Sequence, residues 1–271
     1  MRPQTQFVFP KPGPALKGVM IAIFAIWLMF ALALNWGGAS EQVFLLFCGN
    51  TDAILQGQIW RLFTAPLLQM PNSVFSMLFT LLGLYFLGAT LEETWGSKRF
   101  LRFLLVSALF AYSVQMLADL VLPASISAKL IGEYWFGAFP VIDAIAIAFA
   151  LMFAGRTVHL MFVLPVSSRG LILFVVAMNV LYLIAAECGP SGFIAPFGGM
   201  IAGWLFGGGT PSPLRRAYLK WRLAQLDREA KLSKTARKKR VARSGLKVVE
   251  GGKGGPDDDD RGRGPDGRLL N

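Results

Sequence analysis

The residues that could perform hydrolytic chemistry are few in this chain of 271 residues. A Ser–His dyad requires a hydroxyl and an imidazole within about 3 Å of each other, and the single histidine is His159. No serine or threonine occurs in the apolar segment 135–155 that precedes it. Ser127 and Lys129 could supply a Ser–Lys dyad, but both fall in a predicted loop. We therefore predict no catalytic residues and interpret His159 as a solvated loop residue.

Asp143 and the two cysteines could carry function because of where they lie in the sequence. Asp143 is the one charge inside the core of a predicted membrane span, where an unpaired acid costs about 2.5–3.5 kcal/mol on insertion scales. We expect it to contact another helix, through Ser76, Thr80 or backbone, or to contact a bound protein. Cys48 and Cys188 could form a disulfide outside the cytosol.

Charge is distributed unevenly along the chain. The whole sequence is 54% hydrophobic and 16% charged, whereas a typical soluble domain is about 25% charged. The segment from Arg215 onward contains 17 basic and 8 acidic residues. The chain therefore consists of a nearly neutral body and a basic tail. We interpret the acidic run Asp257–Asp260 as solvated, and we predict no metal site and no cofactor.

Six apolar segments have a length suited to membrane spans, for which about 20 residues suffice. They are roughly 18–36, 73–91, 100–122, 135–155, 169–186 and 191–208. The predicted fold is therefore all-α and polytopic. Its predicted parts are a cytoplasmic segment 1–17, a six-helix membrane domain 18–208, a basic amphipathic helix 209–244 and a disordered charged tail 245–271.

Basic residues near the segment ends predict the orientation, because cytoplasmic loops are enriched in Lys and Arg. The cytoplasmic side would hold Arg2, Lys11, Lys17, Lys98, Arg99, Arg102, Arg156, Arg169 and the tail, and the other side only Arg61 and Lys129. Both termini are thus expected in the cytoplasm of a multi-pass protein, in the plasma membrane or in the inner membrane if bacterial. Glu92 and Glu93 are interpreted as a surface network with Lys98 and Arg99.

Two segments outside the spans are expected to contact lipid. The connection 37–72 is long and apolar, which predicts an interfacial segment with Trp60 at headgroup depth. Residues 213–243 are expected to form a helix whose apolar stripe is Leu219, Leu223, Leu226 and Ala230. Basic helices next to a membrane bind anionic headgroups, so we expect that partner for the tail and no nucleic acid.

Several motifs, in order, resemble the rhomboid family of six-helix intramembrane proteins. Gln58–Thr64 reads QIWRLFT where that family has G-Q-x-W-R-L-x-T, and Gly88–Leu101 contains LEETWG and RFL where it has L-E-x-x-W/F-G and R-F-L. The glycines of the last span match the family's sixth helix, and they are Gly199, Gly203 and Gly207. Their spacing of four places them on one helix face, where small residues permit close packing. The expected partner is helix four, at Ala144 and Ala148.

The catalytic positions of that family are replaced in this chain. Its serine, at the start of helix four, falls on Phe139, or on Pro140 if the register shifts by one, and its helix-six histidine falls on Pro196. The polar positions leading into and along helix two become Gln69, Ser76 and Thr80.

The resemblance implies a role like that of inactive rhomboid relatives such as iRhoms and derlins, which bind transmembrane segments of client proteins. The residues expected to contact a client are Ser76, Thr80, Phe139, Asp143 and Pro196. The alternative is an active rhomboid-type intramembrane serine protease with a non-standard catalytic site. A transporter fits less well, because transporters tend to show internal repeats and this chain shows none.

Overall fold

The computed structural model describes residues 11–153, 157–160, 164–185, 189–208 and 218–230. The chain divides into two compact units, Met1–Ala217 and Tyr218–Asn271. The helices of the first unit are α1 (Pro14–Asn35), α2 (Glu41–Leu45), α3 (Thr51–Leu55), α4 (Arg61–Thr64), α5 (Val74–Gly83), α6 (Ala89–Trp95), α7 (Ser97–Val121), α8 (Ala124–Leu130), α9 (Phe139–Met152), α10 (Ser168–Ile184) and α11 (Ile194–Gly207). In the second unit, residues 218–230 are helical.

Three of these helical stretches are long and apolar enough to cross a membrane. They are Pro14–Asn35, Val74–Trp95, in which a π-helical turn at Leu84–Gly88 joins α5 to α6, and Ser97–Val121. Helices α9, α10 and α11 are apolar but shorter. A helix of 14 residues, the length of α9 and α11, spans about 21 Å, whereas the hydrocarbon core is about 30 Å thick.

Two expectations about helix bounds and loops need correction. The fourth apolar segment was expected to be helical from residue 135, but α9 begins at Phe139, because Gly137 has a φ of +119° and stops helix formation before it. The loop expected around His159 is a short hairpin, in which β1 (Thr157–Leu160) pairs antiparallel with β2 (Leu164–Ser167) and His159 lies opposite Pro165.

Contacts within the first unit define the direction of each helix relative to its neighbours. Near its start, α1 packs on the π-helical turn that precedes α6, since a Cβ on Gly88 would lie 3.2 Å from Leu16. Farther along α1, Trp27 donates a hydrogen bond to Met70 O, just before α5. Helix α1 therefore runs antiparallel to the stretch Val74–Trp95. After the positive φ of Gly96, the ring of Phe100 reaches back to Gly88, so α7 folds back along α6.

The connection 37–72 is organised by a buried arginine. Arg61 is 5% exposed. Its Nη1 donates to Leu45 O at 2.6 Å and Cys48 O at 2.7 Å, and its Nε to Gln58 Oε1 at 2.7 Å. Phe44, Ile54 and Leu68 of this connection are buried. Other large apolar side chains are exposed, and they are Val43, Leu46, Phe47, Leu55, Ile59, Trp60 and Phe63. Outward apolar side chains on a compact polar scaffold are what contact with lipid requires.

Glu92 does not take part in the surface network that the sequence suggested. It is 3% exposed, and its carboxylate accepts hydrogen bonds from Ala15 N at 2.9 Å, Leu16 N at 3.0 Å and Ser97 Oγ at 2.6 Å. The first amides of a helix have no partner within the helix, and a carboxylate is favoured there by the helix dipole. Glu92 thus caps α1 from another helix, and a Cβ on Gly13 would clash with it.

Candidate functional site

Helices α9 and α11 form the closest helix contact in the first unit. Gly199, Gly203 and Gly207 of α11 lie against Pro140, Ala144 and Ala148 of α9. A Cβ on Gly203 would stand 2.9 Å from Ala144 Cα, and one on Gly199 would stand 2.7 Å from Pro140 C. Real Cβ atoms do not approach this closely, so any side chain at these glycines would force the two backbones apart. We call this contact the glycine seam.

The glycine seam brings the starts of two helices together. Its contacts advance by four residues on both helices at once, so α9 and α11 run parallel. Phe139 is the first residue of α9, and Pro196 lies in the first turn of α11, where proline is tolerated. Phe139 is 38% exposed and Pro196 is buried. Neither side chain has a nucleophile or a base, so these positions offer an apolar surface and no acyl-transfer chemistry.

Buried polar groups of α7 form hydrogen bonds at the starts of α9 and α11. Tyr112 donates its hydroxyl hydrogen to Gly137 O at 2.6 Å, and its ring stacks on Trp135 at 4.7 Å. Gln115 Oε1 accepts a hydrogen bond from Ala195 N at 2.8 Å. Among the described residues, the donors Gln115 Nε2 and Trp135 Nε1 have no partner although both are buried. Sequence reasoning missed this network; the available signal was a glutamine inside an apolar span.

Antiparallel contacts place α7 and α10 beside the two parallel helices. A Cβ on Gly198 would lie 3.0 Å from Ala111 Cα, and one on Gly207 would lie 3.4 Å from Phe103 Cε2, so α7 runs opposite to α11. Between α10 and α9, Ser168 Oγ donates to Phe153 O, while Asn179, farther along α10, bonds to Asp143, nearer the start of α9. Helices α7, α9, α10 and α11 therefore alternate in direction.

The positions that the sequence assigned to helix two lie before and along α5, with Gln69 ahead of it and Ser76 and Thr80 within it. Thr80 is fully buried and donates to Gln69 Oε1 at 3.2 Å. Gln69 Nε2 is buried without a partner among the described residues. Ser76 is half-buried, and its backbone N–H donates to Ser73 Oγ at 3.2 Å, which caps α5. One turn after Thr80, a Cβ on Gly83 would lie 3.3 Å from Ile142 of α9.

Asp143 has a different partner from those that the sequence suggested. Asn179 Nδ2 of α10 donates to its Oδ2 at 3.1 Å and to Val175 O at 2.9 Å. The expectation of Ser76 or Thr80 as the partner was wrong, because Asp143 faces α10 and not α5. Asp143 and Asn179 are both half-buried.

The remaining candidates are only partly described. Cys48 is a free, buried thiol, and burial raises its pKa to about 12 although the charge of Arg61 lowers it. Cys188 and the side chain of His159 lie outside the described residues. Within the described part of the chain, no three His, Cys, Asp or Glu side chains cluster in a way that could hold a metal ion.

Comparison with known protein families identifies the family to which most of the chain corresponds. Residues 17–207 match the family described as "Eukaryotic integral membrane protein (DUF1751)". The match covers most of the chain and all of the helices from α2 to α11. No curated protein matches the chain.

Proposed function

Because the chain belongs to the DUF1751 family of integral membrane proteins, we propose that it is a rhomboid-like pseudoprotease that binds the transmembrane segments of client proteins without cleaving them. One observation carries the proposal. Phe139 and Pro196 occupy the adjoining starts of two parallel helices that pack at backbone distance. The rhomboid resemblance puts the Ser–His dyad at these two positions, and their side chains can only make apolar contacts.

The helix directions support six spans. Helix α1 is antiparallel to the stretch Val74–Trp95, α7 folds back along α6, and α7, α9, α10 and α11 alternate. Non-helical residues before α9 and α11 are also buried, so each buried segment is longer than its helix; they are Trp135, Phe136, Ala138, Ser191 and Phe193. An even number of spans places both termini on one side, and the distribution of Lys and Arg makes that side cytoplasmic.

A client helix would use the polar groups near the start of α9. Polar side chains inside a membrane are costly unless they find partners, so a client segment with polar or broken helical structure gains from contact with them. Of the five residues expected to contact a client, Ser76, Phe139 and Asp143 are at least partly exposed, whereas Thr80 and Pro196 are buried and would reach a client only if α5 or α11 shifts.

Photocrosslinking tests client binding. Phe139 would be replaced by p-benzoylphenylalanine in the full chain in its native membrane, and the trapped proteins identified. The matched control is the same replacement at Phe24, an exposed phenylalanine of α1. We expect transmembrane segments to be captured from position 139 at several times the yield from position 24. Equal capture from both positions, or capture of soluble proteins only, would contradict the proposal.

The basic tail is proposed to bind anionic lipid. In the helix 218–230, Leu219, Leu223 and Leu226 are exposed along one stripe, and the rings of Tyr218 and Trp221 lie 6.2 Å apart. Each basic residue near an anionic surface contributes about 1 kcal/mol, screened over about 8 Å at physiological salt. A peptide of residues 213–245 should bind anionic vesicles, gain helicity and dissociate as salt rises. Equal binding to neutral vesicles, or tighter binding to RNA at the same salt, would overturn this assignment.

A further inference from the structure

The pair Asp143–Asn179 lies at the edge of the contact between α9 and α10. The buried residues of α10 are Ser168, Leu171 and Val175, all in its first half. Asn179 comes one turn after the last of them, and beyond it Leu181 and Ile184 are exposed. Asp143 and Asn179 are themselves half-buried, so the pair lies at the margin of this contact, where a second transmembrane helix could approach if it displaced the exposed end of α10.

Asp143 has capacity for a stronger partner than the amide that it has. A carboxylate offers about four lone-pair sites on two oxygens, and Asn179 Nδ2 uses one of them. Helices α9 and α11 contain no Lys or Arg. The basic residue of α10, Arg169, precedes Asn179 by ten residues, which is about 15 Å along the helix axis. Helices α9, α10 and α11 therefore place no Lys or Arg beside Asp143 in the described structure.

We infer that Asp143 recognises client helices that carry Lys or Arg inside the membrane, and that Asn179 occupies the carboxylate when no client is bound. The inference rests on the proposed client-binding function and adds the chemical class of the client. Asp143 is four residues into α9, about 6 Å from its start. The basic residue of the client should therefore lie in the third of its span nearest the start of α9.

The test uses the full chain in nanodiscs with fluorescent transmembrane peptides of one Leu–Ala sequence. The peptides differ at one position, in the third of the span nearest the start of α9. The residue at that position is Lys, Arg or Leu. Binding is measured by energy transfer for the unaltered protein and for Asp143→Asn, Asn179→Ala and Asp52→Asn. Asp52 is an exposed acid of α3 and serves as the matched control. The Leu peptide makes no hydrogen bond to Asp143, so we expect the Lys and Arg peptides to bind about tenfold more tightly; tenfold corresponds to about 1.4 kcal/mol, near the lower end for a hydrogen bond to a charged group.

The pattern across the variants decides the inference. The preference for Lys should vanish in Asp143→Asn, persist in Asp52→Asn and persist or grow in Asn179→Ala, which removes the competing amide. A preference that survives Asp143→Asn, or binding that does not depend on the peptide residue, overturns the role of Asp143 and leaves client binding in place. A preference lost equally in Asn179→Ala and Asp143→Asn would make the pair a structural contact only. If no peptide binds to any variant, the proposed function fails together with this inference.

Discussion

Helix α9 contacts α11 and α10 in two different ways. The contact with α11 holds the bundle together, whereas the contact with α10 is weak enough to open. Against α11, the glycine seam puts backbone on backbone over two helical turns. Against α10, the contact rests on a few buried side chains and the pair Asp143–Asn179. In a membrane, lipid tails compete with apolar side chains, so close backbone packing and interhelical hydrogen bonds decide helix association. The α11 side is therefore the fixed side, and the α10 side is where a client would enter under the proposed function.

The largest effect should come from filling the glycine seam. Gly203→Leu places a side chain where even a Cβ would lie 2.9 Å from Ala144 Cα, and overpacking typically costs about 1–3 kcal/mol or more. We expect a clear fall in the melting temperature in detergent. Trp204→Leu is the control, because Trp204 is 52% exposed on the same helix. Equal losses from the two changes would mean that the seam does not hold the bundle.

The second prediction tests whether the hydrogen bonds of Glu92 stabilise the bundle as much as the glycine seam does. Glu92 accepts three hydrogen bonds, one from the buried Leu16 and two from the half-buried Ala15 and Ser97, whereas Asp143 receives one from Asn179 in the described structure. Glu92→Ala would leave Ala15 and Leu16 amides unpaired, at about 1–3 kcal/mol for each buried group. We expect the melting temperature to fall nearly as far as for Gly203→Leu, while Glu93→Ala, at an exposed neighbour, leaves it unchanged. A silent Glu92→Ala would show that α1 needs no cap.

The sequence predicts the elements better than it predicts their partners. Each of the six apolar segments contains a helix, because apolarity and length are local properties. The spacing of the three glycines indicates one packed face, and the structure places Ala144 and Ala148 against it. The partners of Asp143 and Glu92 were not found, since a lone polar residue does not specify which helix it will face. The start of α9 was also misplaced, because the positive φ of Gly137 depends on its contacts with distant residues.

On the α10 side, a smaller effect is expected. Asn179→Leu removes the amide from Asp143 and leaves the apolar contacts of Leu171 and Val175 in place. Interhelical hydrogen bonds in membranes are worth about 0.6 kcal/mol on average, so the melting temperature should change by a fraction of the change in Gly203→Leu. A loss as large as that of Gly203→Leu would remove the distinction between the fixed and the open side of α9.

The last prediction is that serine-protease probes do not react at the start of the glycine seam. Phe139 and Pro196 lack any atom that could attack an acyl group or accept its proton, and a nucleophilic hydroxyl needs an adjacent base to react. The purified protein should therefore show no labelling by fluorophosphonate or isocoumarin probes above a heat-denatured control. If labelling occurs, mapping the modified residue would identify a displaced nucleophile and favour the active-protease alternative. Labelling that Phe139→Ala leaves unchanged would place that nucleophile away from the seam, so that the seam would hold the bundle without marking the reactive site.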